Sequence, residues 1–189
     1  PQELSLFDGI TIPAVLSHHI GDDEQGCIVR TDNLYGGELQ GRYLKEMGCE
    51  KPLYITGYVG SVEPHAKRLE GFLRVYPQAK VISTAIGSPA SIASIQDQVE
   101  QLLAVRSIDA LAAVNDLTLF DLLMRCPMDL PAVGYDASPF SSLLGKRVAS
   151  VDIQSGRLYQ KATEKLLSML AGKQEASTTI LPRLVRDVQ

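Results

Sequence analysis

Three polar residues stand where apolar runs stop. Leu111-Ala-Ala-Val-Asn115-Asp116 and Ala132-Val-Gly-Tyr-Asp136 are short apolar stretches without a helical period, and each ends abruptly in polar groups. A carboxamide donates and accepts at once, and a carboxylate accepts several hydrogen bonds. Asn115 and Asp136 therefore have the chemistry to hold the hydroxyl groups of a small ligand. Each also has a plainer use, because both precede segments able to start a helix (117–124 and 138–144), where Asn and Asp serve as N-caps. Asp116 suits the cap better than the ligand, since its charge complements a helix N-terminus. Reaction chemistry is poorly supported. The chain has no G-x-S-x-G elbow, no phosphate loop and no dinucleotide fingerprint, and nothing in the spacing of Asp32 and Asp136 pairs them. A binding role is favoured, with a minimal α/β enzyme as a remote alternative.

Positioning such residues requires strands that end together. A near-continuous apolar run suits a strand buried on both faces of a parallel sheet, and ligands of such sheets bind beyond the carboxyl ends of the strands. The rest of the chain alternates accordingly. Strands are expected over 10–17, 27–30, 52–56, 80–84, 108–114, 130–135 and 146–152. Helices are expected over 34–47, 65–76, from Ser91 or Ser94 through a stripe of Ile95, Val99, Leu102 and Leu103, and over 117–125 and 155–170. Asp32 or Asn33 can cap the first of these helices, and Gly48 ends it as a C′ glycine. The second stops before Pro77. Residues 178–185 read as a closing strand interrupted by Pro182, part of it an edge. Alternation at this interval gives an α/β fold with a parallel sheet.

Composition removes several function classes. A net charge of −4 with scattered basic residues leaves no electrostatic footprint for nucleic acid. No apolar run approaches the roughly 20 residues of a membrane span, and Pro1-Gln-Glu-Leu-Ser lacks the features of a signal peptide. Cys27, Cys49 and Cys126 are odd in number and widely spaced, which fits reduced thiols in a cytoplasmic protein. Zinc spacing is absent, and the adjacent His18 and His19 are weak evidence for metal. No cofactor is expected.

The ordered matches along the chain resemble the effector-binding part of the LacI/GalR family of bacterial transcription regulators. They comprise Ile12-Pro13-Ala14-Val15-Leu16, Asp32-Asn33 with Gly36-Gly37, Tyr43-Leu44, Met47-Gly48 and Tyr54-Ile-Thr-Gly57. Arg68-Leu-Glu-Gly71-Phe72, Val114-Asn115-Asp116, Val133-Gly-Tyr-Asp136 and the closing Leu181-Pro-Arg-Leu-Val185-Arg186 follow. Singly each is weak; their order covers nearly the whole chain. The resemblance implies a periplasmic-binding-protein-like, doubly wound parallel sheet, with one complete lobe and part of the other. It assigns 1–26 to a remnant of the first lobe and a crossover, 27–149 to the second lobe, and 150–189 to a crossover back with the first lobe's last helix and strand. It also implies that the family's DNA-binding headpiece and the start of the first lobe are missing before Pro1, so operator DNA would be reached only through a headpiece absent from this chain.

The resemblance further implies the site. Arg68 matches an arginine that reaches into the cleft and holds sugar hydroxyls or a carboxylate, a task suited to its planar fork of donors; the plain alternative is a solvated helix arginine. Asn115 and Asp136 join it, His18 lies where the family places a polar effector contact, and Ser61 lies in the turn with Gly57 and Gly60, which the family also uses for effector but which is better read as an ordinary βα loop. Replacing Arg68 or Asp136 is expected to weaken binding with little change in fold. The implied function is effector sensing, with a sugar, sugar phosphate or nucleoside as ligand. The alternative is a solute-binding protein of a sugar transport system. A homodimer through the second lobe is expected, because Leu119, Leu122, Leu123 and Met124 exceed what one helix face needs, and Phe140, Leu143 and Leu144 add apolar surface.

Overall fold

The apolar runs that end at Val114 and Tyr135 lie side by side as parallel strands. The computed structural model describes residues 12–17, 26–56, 63–83, 89–139, 143 and 148–186. In chain order the elements are β1 (Val15–Ser17), β2 (Cys27–Thr31), α1 (Asn33–Glu46), β3 (Pro52–Thr56), α2 (Glu63–Val75), β4 (Lys80–Ser83) and α3 (Pro89–Ala104). They continue with β5 (Ala110–Ala113), α4 (Asp116–Arg125), β6 (Ala132–Tyr135), β7 (Val148–Asp152), α5 (Ser155–Leu170), β8 (Thr178–Ile180) and β9 (Arg183–Val185). Two compact units result: residues 1–30 with 156–179, and residues 31–155 with 180–189.

The larger unit holds a six-stranded sheet in the order β4-β3-β5-β6-β7-β9. Its pairs are parallel except β7 with β9, which runs antiparallel through Val151 opposite Leu184. Side chains alternate across the pleat and sort into two cores. Leu53, Ile55, Leu111 and Ala113 face Val99 of α3 and Leu119 and Leu122 of α4. Tyr54, Ala110 and Ala112 face Tyr43 and Leu44 of α1 and Phe72 of α2. Helices therefore cover both faces, which explains why β5 and β6 are apolar without interruption and fully buried. The strand order reverses between β3 and β5, a topological switch point where crevices form beyond the strand ends.

Two glycines let α1 and α2 cross closely. A Cβ at Gly37 would collide with the Arg68 carbonyl, and one at Gly71 with the Leu34 carbonyl. Their absence sets α2, and hence Arg68, directly against the start of α1. α1 begins with Asp32 as N-cap, its carboxylate accepting from the Tyr35 amide at 2.9 Å. It ends at Gly48, whose φ of +78° is the left-handed conformation a C′ glycine adopts readily.

The smaller unit contains a three-stranded sheet in the order β1-β2-β8, with β1 and β2 parallel, and the helix α5. The Ser177 hydroxyl accepts from the Ile28 amide. Lys165 is buried there and donates to the Ala176 carbonyl while pairing with Glu175 at 3.2 Å. Paired in this way, the buried ammonium is not left an uncompensated charge.

The close of the chain departs from the sequence reading. Residues 178–185 form two strands rather than one, and the second, β9, belongs to the six-stranded sheet instead of the partner sheet. Pro182 has no N–H to give a ladder, so pairing breaks there. β9 is fastened to the larger unit by Arg183, whose guanidinium meets the Asp152 carboxylate at 2.9 Å, and by Arg186 pairing with Glu46.

Candidate functional site

β5 and β6 deliver the carboxyl-edge residues, and the close approach of α1 and α2 brings two more. Arg68, only 9% exposed, occupies the middle. Its Nε donates to the Asn33 side-chain oxygen at 2.9 Å, and Nη1 donates to the Val114 carbonyl at 2.8 Å. Nη2 lies 3.4 Å from an Asp136 carboxylate oxygen. The guanidinium carbon stands 3.7 Å from the centre of the Tyr135 ring, a cation–π contact that strengthens when water is excluded. The helix arginine is thus not a solvated surface group.

The Tyr135 phenol is fully buried, with its hydroxyl 3.5 Å from the Asn33 oxygen. Burial pushes its ionisation far above the ordinary tyrosine value, partly opposed by Arg68. It remains a neutral hydroxyl and an aromatic platform. Asp136 keeps about a third of its side chain open (35%), so the acceptor of the ion pair is the accessible member. Its backbone is strained: φ is +97° at Asp136 and +48° at Ala137. Consecutive non-glycine residues in the left-handed region carry a conformational cost that surrounding structure must hold in place. His65, one turn before Arg68 on α2, has a buried Nδ1 without a hydrogen-bond partner among the described residues. Burial, then the neighbouring Arg68 charge, lowers its basicity.

The cap expected at Asp116 is supplied by Asn115 instead. Asn115 is the N-cap of α4, in extended backbone (φ −156°, ψ 167°), and its Oδ1 accepts from the Thr118 amide at 2.8 Å. Asp116 is not the cap. It is completely buried, accepts from the Ser150 hydroxyl and the Ser138 amide at 2.7 Å each, and has its pKa raised mainly by burial, with those hydrogen bonds opposing the shift. Capping leaves Asn115 at the strand edge with one oxygen already engaged.

Of the residues singled out by sequence, Arg68 and Asp136 meet directly. Asn115 sits at the end of the same strand whose Val114 carbonyl binds Arg68. His18 and Ser61 lie outside the described residues. Asn33 and Tyr135 were missed as site members. Tyr135 was legible only as part of the Val133-Gly-Tyr-Asp136 run, and Asn33 only as one of two possible caps; Asp32 took the cap and freed the Asn33 carboxamide for Arg68. Among the described residues no group of His, Cys, Asp and Glu is arranged to hold a metal ion. The arrangement combines a donor and an acceptor: a guanidinium lying on the Tyr135 ring stands beside a carboxylate about a third exposed.

Comparisons with known proteins bear on the fold. No family model matches the chain. A curated relative, the sucrose operon repressor of Streptococcus mutans, is 28% identical over 120 residues, covering 60% of this chain; the chain spans only 37% of that relative's length. Among solved structures, a probable maltose operon transcriptional repressor from Staphylococcus aureus superposes with a TM-score of 0.82 at 20% identity, over 100% of this chain and 72% of that one. A LacI family transcriptional regulator from Enterococcus faecalis with bound ribose gives 0.79 at 19% identity, over 96% and 69%. The chain has the periplasmic-binding-protein-like α/β fold of LacI-family effector-binding domains, and its sequence is related to that of a repressor.

Proposed function

We propose that this chain is the effector-sensing part of a bacterial LacI-type transcriptional regulator and takes a small sugar at the Arg68–Asp136 pair. The observation that carries the reading is the pair itself, at the carboxyl ends of β5 and β6, with Tyr135 beneath it. One ligand hydroxyl can donate to Asp136 while its oxygen or a neighbour's accepts from Arg68. Sugars are named for the relatives above: sucrose and maltose operons, and a bound ribose. The proposed role is recognition without chemistry, and regulation requires that the sugar bind one conformational state better than another. The test is a thermal-shift screen with ribose, maltose, sucrose and purine nucleosides. A sugar-dependent rise that Asp136→Ala abolishes supports the reading; a rise with nucleosides alone replaces the ligand class.

The same proposal includes a cytoplasmic location and a homodimer. Among the described residues no helix is long and apolar enough to cross a membrane. Leu119 and Leu122 belong to the core rather than to an interface. Leu117 (53% exposed) and Met124 (63%), seven positions apart on α4, share one outward face, and Leu143 is 68% exposed. Apolar groups presented in this way suit a two-fold contact. Phe140 and Leu144 lie outside the described residues.

A further inference from the structure

The left-handed turn at Asp136 and Ala137 is held from below by residues that do not touch Arg68. Asp136 donates its amide to the Val151 carbonyl at 2.8 Å, which ties the turn to β7. The Ala137 amide donates to the Ser150 hydroxyl oxygen at 3.0 Å. That hydroxyl donates onward to one oxygen of Asp116 at 2.7 Å, and the other oxygen accepts from the Ser138 amide. Asp116 and Ser150 are both wholly buried. The relay exists only because Gly134 has no side chain, since a Cβ there would collide with the Asp116 carboxylate. Two consecutive amides after Asp136 thus end on one buried serine–aspartate pair, and the strained dihedrals are fixed from outside the site.

We propose that Asp116 and Ser150 are positioning residues for the ligand site: their relay fixes the Asp136–Ala137 turn and so sets where the Asp136 carboxylate meets Arg68 and a bound sugar. The geometry explains why a buried carboxylate at the start of α4 forgoes capping and leaves that task to Asn115. All of its described partners belong to the turn or to the strand beneath it. A carboxylate accepts from several donors together, whereas a carboxamide must turn an N–H toward one of them. The part of the inference that concerns ligand affinity rests on the sugar reading above; the part that concerns the turn does not.

Backbone amide exchange on the 189-residue chain, followed by NMR, tests the turn without a ligand. In Ser150→Ala the Ala137 and Ser138 amides should exchange faster by about tenfold or more, the effect of losing one or two internal hydrogen bonds. The Leu53, Tyr54 and Ile55 amides of β3 should keep their protection, and the Arg68 Nε resonance should move. Ser150→Thr, which keeps the hydroxyl, should restore all three readouts. Asp116→Asn supplies a second variant, expected to release Ala137 because an amide N–H competes for the serine oxygen. Unchanged exchange at Ala137 and Ser138 in both variants overturns the proposal. So does loss in equal proportion at β3, or a Ser150→Thr protein that matches Ser150→Ala while β3 stays protected. Titration of the same proteins with D-ribose and maltose should show weaker uptake in Ser150→Ala. If the unsubstituted chain takes up neither sugar, the sugar reading suffers, while the exchange pattern still decides the relay.

Discussion

Arg68 lies over Tyr135, its guanidinium carbon 3.7 Å from the ring centre, while its outer nitrogen reaches Asp136, the next residue in the chain. One strand end thus provides both the platform and the counter-charge for an arginine borne on α2. Because the arginine is buried and also bonded to Asn33 and to the Val114 carbonyl, it belongs to the core of the unit as much as to a site.

Arg68→Ala should therefore reduce stability as well as binding, which revises the expectation that the fold would hardly notice. Stranding the buried Val114 carbonyl should cost roughly 1–3 kcal/mol, with a smaller loss at the half-buried Asn33 oxygen, which keeps the Tyr135 hydroxyl nearby. Arg68→Lys retains charge but not the fork, and should recover only part of that loss. Urea unfolding midpoints of the three proteins are the measurement; identical midpoints would contradict the integration of Arg68 into the unit.

Tyr135→Phe should be mild and Tyr135→Leu severe. The hydroxyl makes a long 3.5 Å contact with Asn33, so its removal should cost about 1 kcal/mol or less. Losing the ring removes the face under the guanidinium and opens a cavity, worth about 2 kcal/mol or more with the cation–π term included. Chemical denaturation compares the two variants directly.

Asp116 predicts a pH dependence of definite sign. Burial raises its folded pKa above the ordinary value of 3.8, so between those two values the folded chain binds more protons than the unfolded one. Stability from this group is then greatest at acid pH and falls as pH rises through the folded pKa. Asp116→Asn cannot ionise. The stability of the unsubstituted chain relative to Asp116→Asn should therefore decrease as pH rises above the ordinary value of 3.8 through the raised folded one. Denaturation curves of both proteins at several pH values check the trend, and a difference that grows with pH would reverse the assignment.

Leu117→Asp with Met124→Asp should lower the association of the chain without unfolding it, because both side chains are exposed on α4. Light scattering at increasing concentration should show a dimer for the parent and monomer for the double variant. A parent that stays monomeric at all concentrations removes the dimer.

Much of the architecture was legible because buried parallel strands write an uninterrupted apolar pattern, as at 110–114, and because Gly48 and Pro77 punctuate helices chemically. Strand-end positions followed, and with them Asp136. What was not legible depends on choices between neighbours. Asp32 and Asn33, like Asn115 and Asp116, are adjacent residues with equal capping ability, and only tertiary partners decide which caps. Ser150 and Arg68 direct the uncapped member of each pair inward. The β8–β9 division was half visible: Pro182 marked the break, but the partner of β9 is β7, whose Val151 and Asp152 lie opposite Leu184 and Arg183 from far away in sequence.

In the proposed site a sugar is held by Arg68 and Asp136. NMR titration of the chain with ribose, maltose and sucrose, following the Arg68 Nε and Asp136 amide resonances, tests it most directly because weak binding still registers. The account predicts a saturable shift at both positions with at least one sugar, weakened about tenfold or more in Asp136→Ala, in line with the loss of a charged hydrogen-bond partner. A sugar that binds while both resonances stay fixed, or that binds Asp136→Ala as tightly as the parent, would contradict it.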